Sequence, residues 1–89
     1  MWQKIETSNH TSKLVGEFTF KNFKEAFAFM TEVAFEAELS EHHPNWKNVW
    51  NQVEIELTTH DKGNQVTERD EKLAEIINQI YTKYNGKNS

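Results

Sequence analysis

Three histidines and two carboxylates hold the chemical capacity of this chain. The run Glu38-Leu39-Ser40-Glu41-His42-His43-Pro44 closes one apolar-periodic stretch, Trp46 follows, Thr59-His60 ends the next stretch, and Asp70 lies in the last. Imidazole titrates nearer neutral pH than any other side chain, with an unperturbed pKa of roughly 6.5. It can therefore take a proton and give one back under ordinary conditions. No cysteine accompanies the histidines, and no glycine-rich phosphate loop. The set suits proton shuffling, not redox chemistry or covalent capture.

Other chemistries fit less well. His42 and His43 are consecutive and would rarely aim at one ion, and the i, i+4 histidine pair of a helical zinc site is absent, so no metal is expected. No Ser or Cys sits in a tight elbow beside a base, which argues against a nucleophile. A plainer reading also stands. His42 and His43 could cap a helix C-terminus, where imidazolium is welcome. Asp70 could be a helix cap, Glu38 a solvated charge, and Trp46 and Trp50 core or rim aromatics. From the residues alone the reading is an acid/base or ligand pocket built from histidines.

The elements that must position these groups follow from periodicity. Trp2 to Glu6 reads as a short strand and Thr7 to Ser12 as a turn. Lys13 to Phe20 reads as a second strand with Leu14, Gly16, Phe18 and Phe20 on one face. Asn22 is placed to cap a helix, with Glu25 three residues on. That helix runs to about Glu41, because Pro44 holds His43 extended. Its sheet-facing stripe is expected to be Phe23, Ala26, Phe27, Met30, Val33, Ala34 and Ala37. Ala28, Phe35 and Leu39 fall opposite, and a second apolar stripe calls for a second surface, most simply another subunit. Val49 to His60 alternates as one half-buried strand, with Val49, Asn51, Val53, Ile55, Leu57 and Thr59 inward. After a loop from Asp61 to Gln65, Thr67 caps the last helix with Asp70 at its N3 position and Val66 as a staple. Leu73, Ile76, Ile77, Ile80, Tyr81 and Tyr84 form its apolar face, and Gly86 stops it. The order β-β-α-β-α gives an α+β fold, a small antiparallel sheet with helices packed on one face.

Composition bounds the rest. The 89 residues make a single domain, 1–89. A domain of this size buries only about 60–65% of its unfolded surface, so oligomerisation is a natural supplement. A net charge of −4 argues against a nucleic-acid surface. No apolar run is long enough to span a membrane. Met1 to Glu6 lacks the apolar core of a signal peptide, and a cytoplasmic protein is expected.

A resemblance sharpens this. Phe20-Lys21-Asn22-Phe23, Ala26-Phe27, Phe29-Met30 and Ala34 are followed by Glu38-x-x-x-His42-His43-Pro44-x-Trp46-x-Asn48-Val49-x-Asn51-x-Val53. Ile55-x-Leu57-x-Thr59-His60 and Thr67-Glu68-Arg69-Asp70 with Leu73-Ala74 complete the pattern. The whole, from about Phe18 to Ile80, closely resembles the pterin-4a-carbinolamine dehydratases, with weaker agreement from Trp2 to Leu14. The resemblance implies a hydro-lyase that removes water from 4a-hydroxytetrahydropterin. That species is left when aromatic amino-acid hydroxylases use their cofactor, and its dehydration gives quinonoid dihydropterin for recycling. The pterin is the substrate and no cofactor is implied. By motif position His42 and His60 resemble the acid/base pair, and His43 the histidine that holds the pterin and its 4a-hydroxyl. Pro44 and the segment Thr59, His60, Asp61 and Lys62 resemble the substrate-contacting stretches. Glu38 and Asp70 match the carboxylates that orient the histidines. A homodimer or homotetramer assembled through helices is also implied.

The chain departs from the pattern in two places. Relatives usually carry a further helix before the first Trp, and this sequence starts at that Trp, so a fold lacking the family's N-terminal helix is expected. The loop Asp61-Lys62-Gly63-Asn64-Gln65-Val66 is longer than the Gly-rich turn common in relatives. Two other roles stay open, a dehydratase-like protein of another pterin pathway such as molybdopterin metabolism, and a cofactor that stabilises a transcription-factor dimer.

Overall fold

In the computed structural model, which describes residues 2–7 and 9–85, the alternation of Leu14, Gly16 and Phe18 forms the centre of a four-stranded antiparallel sheet. Strands β1 (Trp2–Glu6), β2 (Ser12–Thr19), β3 (Asn45–Val49) and β4 (Gln52–Leu57) lie in the order β1-β2-β4-β3. Helices α1 (Phe23–Ser40) and α2 (Glu68–Asn85) complete the fold, and a short 3-10 turn spans His60–Lys62. The α+β class stands, with the helices against one sheet face. Gly86, expected to stop the last helix, lies outside the described residues.

The element order is β-β-α-β-β-α, not β-β-α-β-α. What reads as one strand from Val49 to His60 is a hairpin arm plus a loop. The chain reverses at Trp50 and Asn51, so that Val49 pairs with Gln52. Trp50 takes a left-handed φ of 49°. Asn48 Nδ2 closes the turn by donating to the carbonyls of Trp50 (3.1 Å) and Gln52 (2.9 Å). Pairing with Gln52 puts Val49 on the open face, where it is exposed, while Val53, Ile55 and Leu57 stay inward. β3 is an edge strand, bonded on one side only, which lets so polar a segment be a strand.

Between sheet and helices the core joins Phe18 and Phe20 to Val53, Ile55 and Leu57, with Ala26, Phe29, Val33 and Ala37 of α1 and Leu73, Ala74, Ile77 and Ile80 of α2. The inward stripe of α1 is rotated from the expected one. Phe29 is buried, whereas Phe23, Phe27 and Ala34 join Ala28, Phe35 and Leu39 in the exposed arc. Phe29 wins because Phe18, Phe20, Tyr81 and Tyr84 surround its ring at centroid distances of 4.8 to 6.2 Å. Such aromatic contacts add about 0.5–1.5 kcal/mol beyond burial. At Gly16 the backbone meets the Trp2 indole so closely that a Cβ would lie 2.8 Å from a ring carbon. The same indole donates Nε1–H to Asn78 Oδ1 at 2.8 Å, tying β1 to α2. Among the described residues no helix is long and apolar enough to cross a membrane.

Candidate active site

Three element ends meet at His42. Asn22 Oδ1 caps the start of α1, accepting from the Glu25 N–H at 2.9 Å. Its other end closes at Glu41, which takes φ 52° and ψ 40° and donates its N–H back to Ala37 and Glu38. The next residue, His42, also donates its N–H to the Ala37 carbonyl, at 3.1 Å. This left-handed exit swings His42 off the helix axis and back over the core. The beginning of α2 is fixed by a capping box. Thr67 Oγ1 accepts the Arg69 N–H at 3.3 Å, and the Asp70 carboxylate reaches back to the Thr67 N–H at 2.8 Å. β4 delivers Thr59 to the same place, just beyond its last residue.

The outcome is a buried hydrogen-bonded set. His42 Nε2 lies 2.5 Å from Asp70 Oδ1. The other carboxylate oxygen accepts from the Thr59 hydroxyl at 2.7 Å and from the Thr67 N–H. Since Thr59 has one hydroxyl proton and gives it to Asp70, the 2.7 Å contact between the two threonine hydroxyls has Thr67 as donor. Asp70 has no exposed surface, and His42 and Thr59 are buried with it. Burial pushes the Asp70 carboxyl up, but the donors from Thr67, His42 and Thr59 outweigh it and hold the group below the ordinary aspartate value of 3.8. A carboxylate accepts and cannot donate, so His42 carries a proton on Nε2, and its Nδ1 lies outside that hydrogen bond.

The other expected residues are arranged differently. His43 and Glu38 form a separate pair, Nε2 to Oε1 at 2.8 Å, and both are exposed. Pro44 is half-buried and leads directly into β3. His60 follows Thr59 directly and is exposed. Its Nδ1 lies 2.7 Å from Asn64 Oδ1, so its partner is an amide and not a carboxylate. Asp61 faces Arg69 at 3.6 Å, and Lys62 is exposed on the same turn. Thr59, expected to touch substrate, has its side chain buried and its hydroxyl committed to Asp70 and Thr67. Among the described residues no three His, Asp or Glu side chains converge as metal ligands would. A concavity of about 280 Å³ on the open sheet face, lined by Glu17, Thr19, Lys47 and Glu54 among others, contains none of the histidines.

Three participants lie outside the expected set. Thr67 acts through its hydroxyl as well as its cap. Arg69 donates to the Glu41 carbonyl at 3.0 Å and so ties the exit of α1 to the loop carrying Asp61. Asn64 holds His60. Arg69 belongs to the Thr67-Glu68-Arg69-Asp70 element, but nothing local marks its partners, and Gly63-Asn64 is a recognisable turn pair whose side-chain target is not.

Comparison with known proteins converges on one family. The family model described as Pterin 4 alpha carbinolamine dehydratase matches residues 1–80. A protein of Christiangramia forsetii named "Putative pterin-4-alpha-carbinolamine dehydratase" is 52% identical over 84 residues, covering 94% of this chain and 80% of its own. One of the same name from Prochlorococcus marinus (strain NATL2A) is 55% identical over 64 residues, 72% of this chain and 66% of its own. The crystal structure of a transcriptional coactivator/pterin dehydratase from Brucella Melitensis superposes with a TM-score of 0.81 at 41% identity, covering 90% of this chain and 81% of that one. A pterin dehydratase-like protein described as a RuBisCO assembly factor in the alpha-carboxysome shares the fold, with a TM-score of 0.75 at 20% identity over 90% of this chain and 88% of that one.

Proposed function

The chain belongs to the pterin 4 alpha carbinolamine dehydratase family, and from that premise we propose that it dehydrates 4a-hydroxytetrahydropterin to quinonoid dihydropterin and water. The hydroxyl on C4a leaves as water and needs a proton, and N5 must lose one. An acid and a base suffice, and each such contribution is typically worth about 10²–10⁴-fold. His42 and His60 are the exchanging pair, and His43 holds the pterin and its 4a-hydroxyl with Pro44, Asp61 and Lys62 at the rim. Asp70 orients His42 and Glu38 orients His43. No cofactor is needed, since the pterin is the substrate. The observation that carries this reading is the buried His42–Asp70 pair, braced by Thr59 one residue before His60. A fully buried carboxylate on an imidazole nitrogen is a costly arrangement, and orienting a proton-transfer group gives it a purpose. The class of enzyme that supplies the substrate is an aromatic amino-acid hydroxylase, and the reaction belongs in the cytoplasm.

Stopped-flow decay of 4a-hydroxytetrahydropterin tests the reading. The protein should accelerate water loss well above the spontaneous rate. Decay at the spontaneous rate, or full activity in a His42→Ala, His60→Ala double variant, would end the assignment.

Assembly is the second half of the proposal. Phe23, Phe27, Phe35 and Leu39 are all exposed along the outer arc of α1. Large apolar side chains so aligned favour a second copy of the chain, giving a homodimer or homotetramer. Burying Phe35 is worth roughly 1.5–3 kcal/mol per copy. Phe35→Glu should dissociate the assembly in light scattering, and a monomer for the unmodified protein at micromolar concentration would refute it.

A further inference from the structure

We propose that Asn64 is a positioning residue for the proposed reaction, holding His60 as the Nδ1–H tautomer so that Nε2 is the atom that exchanges a proton with the pterin. The inference rests on the reading of His60 as a proton-transfer group and goes beyond it by naming the nitrogen and what selects it.

The contact is built, not incidental. Asn64 takes a left-handed φ of 59°, directly after Gly63 at 72°. Its N–H donates to the Thr59 carbonyl at 3.1 Å, and its carbonyl accepts the Ser12 N–H at 2.9 Å. Thr59 N–H donates in turn to the Gln65 carbonyl at 3.0 Å, closing the loop at its base. Val66 N–H donates to Ser12 Oγ at 2.8 Å, and Gln65 Nε2 to the His10 carbonyl at 2.9 Å, so the loop is pinned to the start of β2 and to the β1–β2 connection from two further residues. The Asn64 backbone is thus held on both sides, and its amide oxygen is delivered to His60 Nδ1 at 2.7 Å. An amide oxygen only accepts, so the ring nitrogen facing it carries the proton. A free histidine side chain in water prefers its proton on Nε2, which makes the selected tautomer the less common one. His42 is set the opposite way, with Nε2 held by Asp70 and Nδ1 outside that bond. The two rings are therefore held by different nitrogens, one by a buried charge and the other by a neutral amide. An amide fixes orientation without adding charge to the site.

The test is ring-nitrogen NMR of the ¹⁵N-labelled protein combined with steady-state kinetics on the wild type, Asn64→Gly and Asn64→Asp, with His60→Gln to assign the resonances. Glycine accepts the left-handed φ, so Asn64→Gly keeps the backbone and the fold. The expected results are a protonated Nδ1 and bare Nε2 in the wild type, a shift toward the Nε2–H form in Asn64→Gly, and retention of Nδ1–H in Asn64→Asp. kcat should fall about 10-fold in Asn64→Gly with little change in KM, because an oriented proton-transfer group is lost and binding is not. Asn64→Asp should recover most of that loss. A wild-type His60 protonated on Nε2, as an amide turned to donate from Nδ2 would require, overturns the proposal. So does an unchanged tautomer and kcat in Asn64→Gly. A wild type that shows Nδ1–H but no dehydration strikes the proposed function and the catalytic half of this inference, while the Asn64–His60 contact stands on the spectra.

Discussion

His42 and His43 are neighbours in the chain, and each meets a carboxylate through Nε2, yet the two pairs sit in different surroundings. The His42 and Asp70 side chains are 8% and 0% exposed, those of His43 and Glu38 65% and 80%. In the first pair the carboxylate is out of water and must be satisfied by protein donors, which it is, by three of them. In the second pair water can replace either partner. The same two functional groups thus make a rigid fixture in one place and an adjustable contact in the other. That division suits a site needing one ring locked for proton transfer and another able to follow a ligand.

The sharpest way to break this contrast is to remove each carboxylate. Asp70→Ala strands the Thr59 hydroxyl, the Thr67 N–H and a buried ring nitrogen, and it ends the capping box. The expected loss of stability is about 3 kcal/mol. Glu38→Ala should change stability by no more than about 0.5 kcal/mol, as for other exposed pairs. Urea denaturation of the two variants measures both, and equal losses would show that burial does not separate the pairs.

Kinetics sharpens the same contrast. His42→Ala should lower kcat about 100-fold if the locked ring transfers a proton. It should also cost about 2 kcal/mol of stability, since it takes a donor from a buried carboxylate. His43→Ala should act mainly on KM, with kcat within about 3-fold of wild type, because it removes binding shared by ground and transition states. Interchanged effects, with KM moved by His42→Ala and kcat by His43→Ala, would reverse the assigned roles.

How far this could be read from sequence depends on the range of the interactions. Thr67 and Asp70 are three residues apart, and a capping box is a local pattern, so that half of Asp70's role was legible. Its other half came only with the family resemblance, because His42 lies 28 residues away and only the packed fold brings them together. The β3–β4 hairpin was hidden by its turn. Trp50 and Asn51 carry no glycine signal, and Val49, though it lies on the open face, continues the apolar spacing of Val53, Ile55 and Leu57 across the turn. In α1 the apolar residues are so many that two stripes compete. Phe27 and Phe29 differ in nothing but which one the Phe18, Phe20, Tyr81 and Tyr84 rings await. The histidine types and the chemistry they suit were legible throughout, since reactivity belongs to side chains. Which carboxylate meets which ring, and that His60 meets an amide instead, were not.

The finest probe of the two pairs is acid. The Asp70 carboxyl is held below its ordinary value of 3.8 in the folded state. Above that value the carboxylate is ionised in both states, and its contribution to stability is present in full. As pH falls below 3.8 the unfolded chain binds a proton there and the folded chain does not, so stability declines until the folded carboxyl titrates as well. Glu32, which accepts from Lys83 and Tyr84 between α1 and α2, is also held below its ordinary value of 4.5 and adds to the same decline. Asp70→Asn should therefore be less stable than wild type at neutral pH and lose less on acidification below about pH 4, where an unperturbed aspartate titrates. Glu32→Gln removes the second contribution and isolates the first. Denaturant midpoints measured from pH 6 down to pH 2.5 check the sign. A wild type and an Asp70→Asn variant that decline in parallel would mean that the buried donors do not favour the ionised carboxylate, and that burial has left the two histidine pairs electrostatically alike.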